Sequence, residues 1–213
     1  MRIQEQDQRI SRHRPRQHRR TPGSVLLMKV LTFDIECTHT VKPNGSTTAS
    51  PYFGNRLVAL GYKFLGEPTQ YLCCYHEQRA SDPDWAPRFQ AYLDRADVLV
   101  AHNAKFDLNW IRACGFMHNA KVYDTMVAEY VLARAQKKPL SLEKISEKRS
   151  QVAKKADLTK PYLKDGYTFA QIPWDIVEEY GRADVEATEQ VALSQLEEYG
   201  TTFEELFGDQ EAM

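Results

Sequence analysis

Along the first half of the chain, apolar residues gather in short runs. Lys29-Val30 leads into Leu31-Thr32-Phe33-Asp34-Ile35-Glu36, an apolar stretch that abruptly carries two carboxylates. Residues 56–64 and 69–75 read as two further strands separated by Gly66-Glu67-Pro68, a hairpin signal. Asp97-Val98-Leu99-Val100-Ala101 is almost wholly apolar, the pattern of a strand covered on both faces. Lys121-Val122-Tyr123 is a fifth strand. Elsewhere the spacing is helical. Asp84 is placed to cap a helix over 84–95, with Pro87 in the first turn where its missing N–H costs nothing. Residues 105–114 form a second helix, stopped by Gly115. Asp124 can cap a third over 125–135, Ser141 a short one carrying Leu142 and Ile145, and Pro173 opens a long one reaching about Tyr199. Residues 40–54, rich in Pro, Gly, Asn, Ser and Thr, read as a long connection. The order predicts an α/β chain with a mixed sheet flanked by helices.

Polar residues inside these apolar elements are the candidates for chemistry. Side chains alternate along a strand, so Asp34 and Glu36 emerge side by side on one face. Burying two like charges together costs several kcal/mol unless a cation lies between them, and a hard divalent ion suits carboxylate oxygen. An isolated D-x-E equally describes a strand running out into solvent. His102-Asn103-Ala104-Lys105-Phe106-Asp107 follows a buried strand directly, at the end where open α/β sheets place their sites. Asn103 and Asp107, four apart, can both face the strand end that holds Asp34 and Glu36, though Asp107 alone would also suit the helix dipole. In the last helix Tyr180 and Asp184 share a face with Ile176, Val177, Ala183, Ala187 and Val191. A carboxylate on such a stripe needs a partner, whereas a lone Tyr180 is as well read as a core residue. Gly181 costs about 1 kcal/mol against Ala in a helix, which implies close approach of another backbone or a ligand.

Composition adds constraints. The chain has 213 residues, 42% hydrophobic and 27% charged, the profile of one ordinary globular domain with appendages. No apolar run approaches the roughly 20 residues of a membrane span, and no secretory signal opens the chain. Cys37, Cys73, Cys74 and Cys114 lack C-x-x-C spacing, so reduced thiols and a cytoplasmic location are expected. The net charge of −1 hides an asymmetry: residues 1–20 carry +5, residues 137–164 carry +6, and the rest sums to −12. Residues 1–27 are expected to be a disordered basic arm, whether tag, misread start or true extension, since Met28 directly precedes the first strand. Residues 28–200 would form the folded domain and 201–213 a C-terminal tail. The basic stretch, with Lys148, Arg149, Lys154 and Lys155, reads either as a solvated face or as a guide for a polyanion near the carboxylates.

Phe33-Asp34-Ile35-Glu36, Asn103-Ala104-Lys105-Phe106-Asp107 and Tyr180-Gly181-Arg182-Ala183-Asp184 follow one another at intervals of about 70 residues. Together they resemble the three motifs of the DEDD 3′-to-5′ exonucleases, a family that includes polymerase proofreading domains and phage-encoded enzymes. The resemblance is to the tyrosine (DEDDy) branch, because the histidine branch would place His where this chain has Glu179. It covers Met28 to about Tyr199. It implies a ribonuclease H-like fold with a mixed five-stranded sheet. It implies two divalent cations, Mg²⁺ or Mn²⁺: one held by Asp34, Glu36 and Asp184, the other bridged by Asp34 and reached by Asp107 through water. Tyr180 would orient the attacking water, and Asn103 and Phe106 would meet the terminal nucleotide. The implied substrate is single-stranded DNA or a DNA 3′ end, in replication, proofreading or DNA processing. RNA 3′-end trimming is the alternative substrate, and a module that binds nucleic acid or a replication protein is the alternative class. Nothing resembling a polymerase follows Tyr199, so a stand-alone enzyme, or one serving a polymerase or replication protein in trans, is expected.

Overall fold

The computed structural model describes residues 28–149 and 158–208. The arm over 1–27, Lys154 and Lys155 lie outside the described residues.

Five strands form one mixed sheet. β1 (Val30–Cys37) sits at its centre, antiparallel to β4 (Leu57–Phe64) and parallel to β6 (Val98–Ala101). β5 (Gln70–Cys73) and β7 (Lys121–Asp124) form the two edges, giving the order β5-β4-β1-β6-β7. This is the mixed five-stranded sheet expected. All of β4 and β6 is buried, as strands covered on both faces require. The connection over 40–54 is more structured than its composition suggested. It holds a small ribbon of β2 (Thr40–Val41) and β3 (Thr47–Thr48), then a 3₁₀ turn at Pro51–Phe53 capped by Ser50.

Alternation along β1 decides which residues meet which helix. Leu31, Phe33 and Ile35 point to the face covered by α1 (Trp85–Leu93) and α2 (Ala104–Ala113), packing with Phe89, Leu93, Trp110 and Ile111. Val30, Thr32, Asp34 and Glu36 therefore point to the opposite face, beneath α6 (Trp174–Tyr199). A register shift between Glu36 and Cys37 marks a bulge where β1 reaches its carboxylates, a common place for one beside a functional site. α3 (Thr125–Leu132), α4 (Leu142–Arg149) and α5 (Lys160–Lys164) complete the layer around α6. Asp124 caps α3 through Met126 and Val127, as expected. Asp84 occupies its N-cap position without a side-chain cap bond. Past 200 the expected tail is instead α7 (Phe203–Phe207) over part of its length. Thr202 and Glu205 form a capping box there, and Phe203 buries itself edge-on against Tyr123 at 5.5 Å.

Two side-chain contacts set how α6 lies on the sheet. Lys63 of β4, itself buried, binds Glu186 and Glu189 of α6, each at 2.8 Å. Tyr71 of edge strand β5 crosses beneath the helix and donates its hydroxyl to the Val177 carbonyl at 3.2 Å. Its ring occupies the space a Cβ at position 181 would need. Gly181 thus admits a side chain from the sheet, rather than a backbone or a ligand. Among the described residues no helix is long and apolar enough to cross a membrane. All four cysteines are free thiols.

Gly181→Ala should lower stability even though Ala favours helix by about 1 kcal/mol, because overpacking a tight contact costs about 1–3 kcal/mol. Tyr71→Leu in the same background should recover part of the loss. Urea unfolding of the single and double variants checks this; a Gly181→Ala protein as stable as wild type would show that Tyr71 does not set the helix height.

Candidate metal centre

β1 and α6 bring three carboxylates to one point. Oxygens of Asp34, Glu36 and Asp184 all lie within 4.8 Å of one another, with Glu36 and Asp184 buried and Asp34 half-buried. Oxygens bound to one Mg²⁺ lie about 3–4 Å apart, given bonds of roughly 2.1 Å, so this spacing suits shared ligation after small adjustments. The neighbouring thiol does not compete. Cys37 packs in the core cluster on the α1–α2 face of β1, with its Sγ 3.6 Å from the Ala49 carbonyl, and burial pushes its thiol up. The donor set is oxygen alone, which fits a hard divalent ion.

Asp107, in the first turn of α2, is the fourth carboxylate and is 2% exposed. Burial, then the charge of Asp34, raises its pKa well above the carboxylate range, while backbone amides including that of Ile35 act in the opposite direction. Asp107 thus shares the electrostatic field of the β1 pair. Tyr180, one turn before Asp184, shares a hydrogen bond with it. Burial and the charges of Glu36, Asp184 and Asp34 raise the phenol far above its usual value. Phe169 lies 5.7 Å from the Tyr180 ring, tilted by 35°, and supports one side of it.

The turn into α2 is held from outside. Asn103 adopts a left-handed conformation, φ 61° and ψ 47°, uncommon for a residue with a side chain. Asp124, at the end of β7, fixes it: its two oxygens accept the backbone N–H groups of Asn103 at 3.0 Å and Ala104 at 2.9 Å. The same carboxylate accepts from Met126 at 2.9 Å. It therefore ties the start of α2, which carries Asp107, to the start of α3. His102 makes a parallel link, from Thr125 at 2.9 Å to the Leu140 carbonyl at 2.9 Å. Between these elements opens a cavity of about 440 Å³, lined by Asp34, His102, Asn103, Met126, Leu140 and Asp184.

The sequence pointed to Asp124 only as a helix cap and did not single out His102 or Phe169. The signal for Asp124 was its position at a strand end facing the residue after another strand, which only the pairing of β6 with β7 reveals. Of the candidate substrate residues, Asn103 lines the cavity, and Phe106 is half-buried against the α1–α2 side of the core. Lys148 and Arg149 point elsewhere. Both bind Glu129, Lys148 at 3.0 Å, and Arg149 also binds Glu198 at 2.7 Å. The Arg149 side chain is 4% exposed, and Glu198 lies fourteen residues beyond Asp184 on α6, about 20 Å along the helix. Arg149 thus locks α4 onto α3 and α6, and phosphate contact is not its place in this arrangement. Burial acts to raise the Glu129 pKa, but hydrogen bonds from Arg149, Gln195 and Lys148 outweigh it and hold the group below the usual range.

A family model described as 3′-5′ exonuclease matches residues 28–197. Among solved structures, one described as the apo form of a nuclease aligns with a TM-score of 0.53 at 16% identity, over 80% of this chain and 74% of its own. Brucella melitensis NrnC with bound Mg²⁺ aligns with a TM-score of 0.52 at 18% identity, over 82% of this chain and 77% of its own. At these identities the likeness carries the fold, which is ribonuclease H-like. No curated protein sequence matches the chain.

Asp124→Ser keeps a hydroxyl able to cap α3 but is too short to reach Asn103 and Ala104. It should weaken Mg²⁺ binding roughly 10-fold, at the low end for lost support of a metal site, while thermal stability falls only slightly. Calorimetric titration with Mg²⁺ beside a melting curve tests the separation; unchanged ion affinity would mean that the link does not position Asp107.

Proposed function

The chain belongs to the 3′-5′ exonuclease family, and on that premise we propose that it removes nucleotides from single-stranded DNA 3′ ends by metal-assisted hydrolysis, in the manner of the tyrosine branch. The observation that carries the reading is the convergence of Asp34, Glu36 and Asp184 within 4.8 Å, with Tyr180 bonded to the last of them.

Each residue has a physical task in this scheme. Asp34, Glu36 and Asp184 would hold one divalent ion, and Asp34 with Asp107 would face a second. When bound, Mg²⁺ or Mn²⁺ supplies Lewis acidity that lowers the pKa of water and stabilises the leaving oxygen. Tyr180, whose single O–H is bonded to Asp184, would orient the attacking water against the scissile phosphate through its hydroxyl oxygen. The cavity beside Asn103 receives the terminal nucleotide, whereas Phe106, packed against the α1–α2 core, would meet it only at that edge. An end must be unpaired for its terminal nucleotide to turn into this cleft, so single strands are favoured over duplex ends. Lys148, 58% exposed, retains capacity to meet a phosphate further out, as do Lys154 and Lys155 by charge alone. Editing for a separate polymerase or trimming of RNA would use the same chemistry, because none of these contacts depends on the 2′-hydroxyl.

Asp34→Ala or Asp184→Ala should reduce hydrolysis by at least about 10³-fold, since an ion ligand and the chemistry it supports are lost together. Melting in EDTA should show either variant no less stable than wild type, because removing one carboxylate relieves repulsion among the others. Labelled single-stranded DNA, duplex DNA and RNA, each with an EDTA control, provide the assay. Mg²⁺-dependent cleavage surviving in both variants would sink the reading, and faster cleavage of RNA would move the substrate to the alternative.

A further inference from the structure

The segment between β1 and β4 carries an exposed set of aromatic and cationic groups that the metal centre does not use. Tyr52 and Phe53 are 68% and 53% exposed, and Val41 is 62% exposed, though each belongs to a segment held firmly in place. Asn55 donates to the carbonyls of Thr48 and Ser50 at 3.0 and 2.9 Å and accepts from Thr40 at 2.8 Å. Trp110 donates to the Ala49 carbonyl at 3.1 Å, and Cys37 meets the same oxygen at 3.6 Å. Trp110 is one turn beyond Asp107, and Cys37 directly follows Glu36. The segment is therefore anchored to β1 and α2, two of the three elements that present carboxylates.

Its charge contrasts with its surroundings. Residues 38–56 contain Lys42 and Arg56 and no Asp or Glu, in a chain that sums to −12 outside its two basic stretches. The Lys42 ammonium lies 5.0 Å from the centre of the Phe53 ring, and the Arg56 guanidinium lies 4.4 Å from that of Tyr75. Exposed rings cost free energy in water, and this anchored segment holds Tyr52 and Phe53 more than half exposed even with Lys42 over the Phe53 ring. Flat rings alternating with cations are what single-stranded nucleic acid requires, because bases stack on the rings while phosphates meet the cations.

We propose that residues 38–56 form a stacking platform for the single strand upstream of its 3′ terminus, with Tyr52 and Phe53 meeting bases and Lys42 and Arg56 meeting phosphates. This rests on the exonuclease reading for its direction along the strand. It assigns the strand path to this segment in place of the buried Arg149. Sequence preference should be weak, since every base has a face to stack.

Single strands of 2, 4, 8 and 12 nucleotides test it. For wild type, KM should fall as the strand lengthens across the platform; for Tyr52→Ala/Phe53→Ala, KM for the 12-mer should rise roughly 10-fold or more, and the ratio of dinucleotide to 12-mer KM should shrink towards one. Lys42→Gln/Arg56→Gln should flatten the salt dependence of 12-mer binding by about 0.7 of a log-log slope unit per lost phosphate contact. Anisotropy of a labelled 12-mer in Ca²⁺ reads the platform without turnover. Loss of binding in the aromatic variant there supports the proposal even if wild type cleaves nothing, an outcome that would count against the exonuclease reading alone. A KM increase equal at every length, or 12-mer binding as tight as wild type in both variants, overturns the platform.

Discussion

Mutual repulsion among buried carboxylates is the constraint that the rest of the molecule answers. Asp34, Glu36 and Asp184 crowd within 4.8 Å, and Asp107 adds a fourth group whose pKa is driven up by burial and by Asp34. Left to relax, such a cluster would spread or draw protons. It persists because each member is fixed by something that repulsion does not easily move. β1 is paired with β4 through Asp34 and Glu36 and with β6 just before them, so the two carboxylates are held at the spacing of one strand. Asp184 rides on a 26-residue helix pinned by Tyr71 and Lys63. Asp107 sits on a turn that Asp124 ties to its neighbour. A centre assembled in this way is pre-organised for cations before any arrive, which is how a site limits the cost of binding them.

The fold divides into contacts that repeat along the chain and contacts that do not. Alternation put Asp34 and Glu36 on one face, and the all-apolar β6 announced a sheet covered on both sides; these patterns are local, so the sequence displays them. Asp124 and Pro173 were legible for the same reason, since caps act within one turn. The Phe203–Phe207 helix carries its own signal, Thr202 three residues before Glu205, but its apolar stretch is too short to display a helical period. Other features depend on partners far along the chain. Gly181 signalled crowding, but only the path of β5 shows that the crowding side chain is Tyr71. Arg149 looked like one of many basic residues until α4 folded back onto Glu129 and Glu198.

That last case bears on how charge clusters are read. Composition reports how many cations a segment has and says nothing of how many are already neutralised. Between 137 and 164 several are: Lys144 holds Glu147, Lys160 holds Glu143, and Lys148 and Arg149 share Glu129. The segment over 38–56 has fewer cations and no nearby acid of its own. Local charge left over after pairing is the quantity a phosphate chain meets.

Tyr71 comes from β5, an edge strand paired on one side only, yet it sets the height of the helix that carries Asp184. Edges of sheets open at lower free energy than centres. When β5 frays, the prop beneath α6 goes with it, and the carboxylates lose their spacing while β4, β1 and β6 remain paired. Heat should therefore silence such an enzyme before it melts it, with activity fading over a range of temperature in which most of the backbone remains folded.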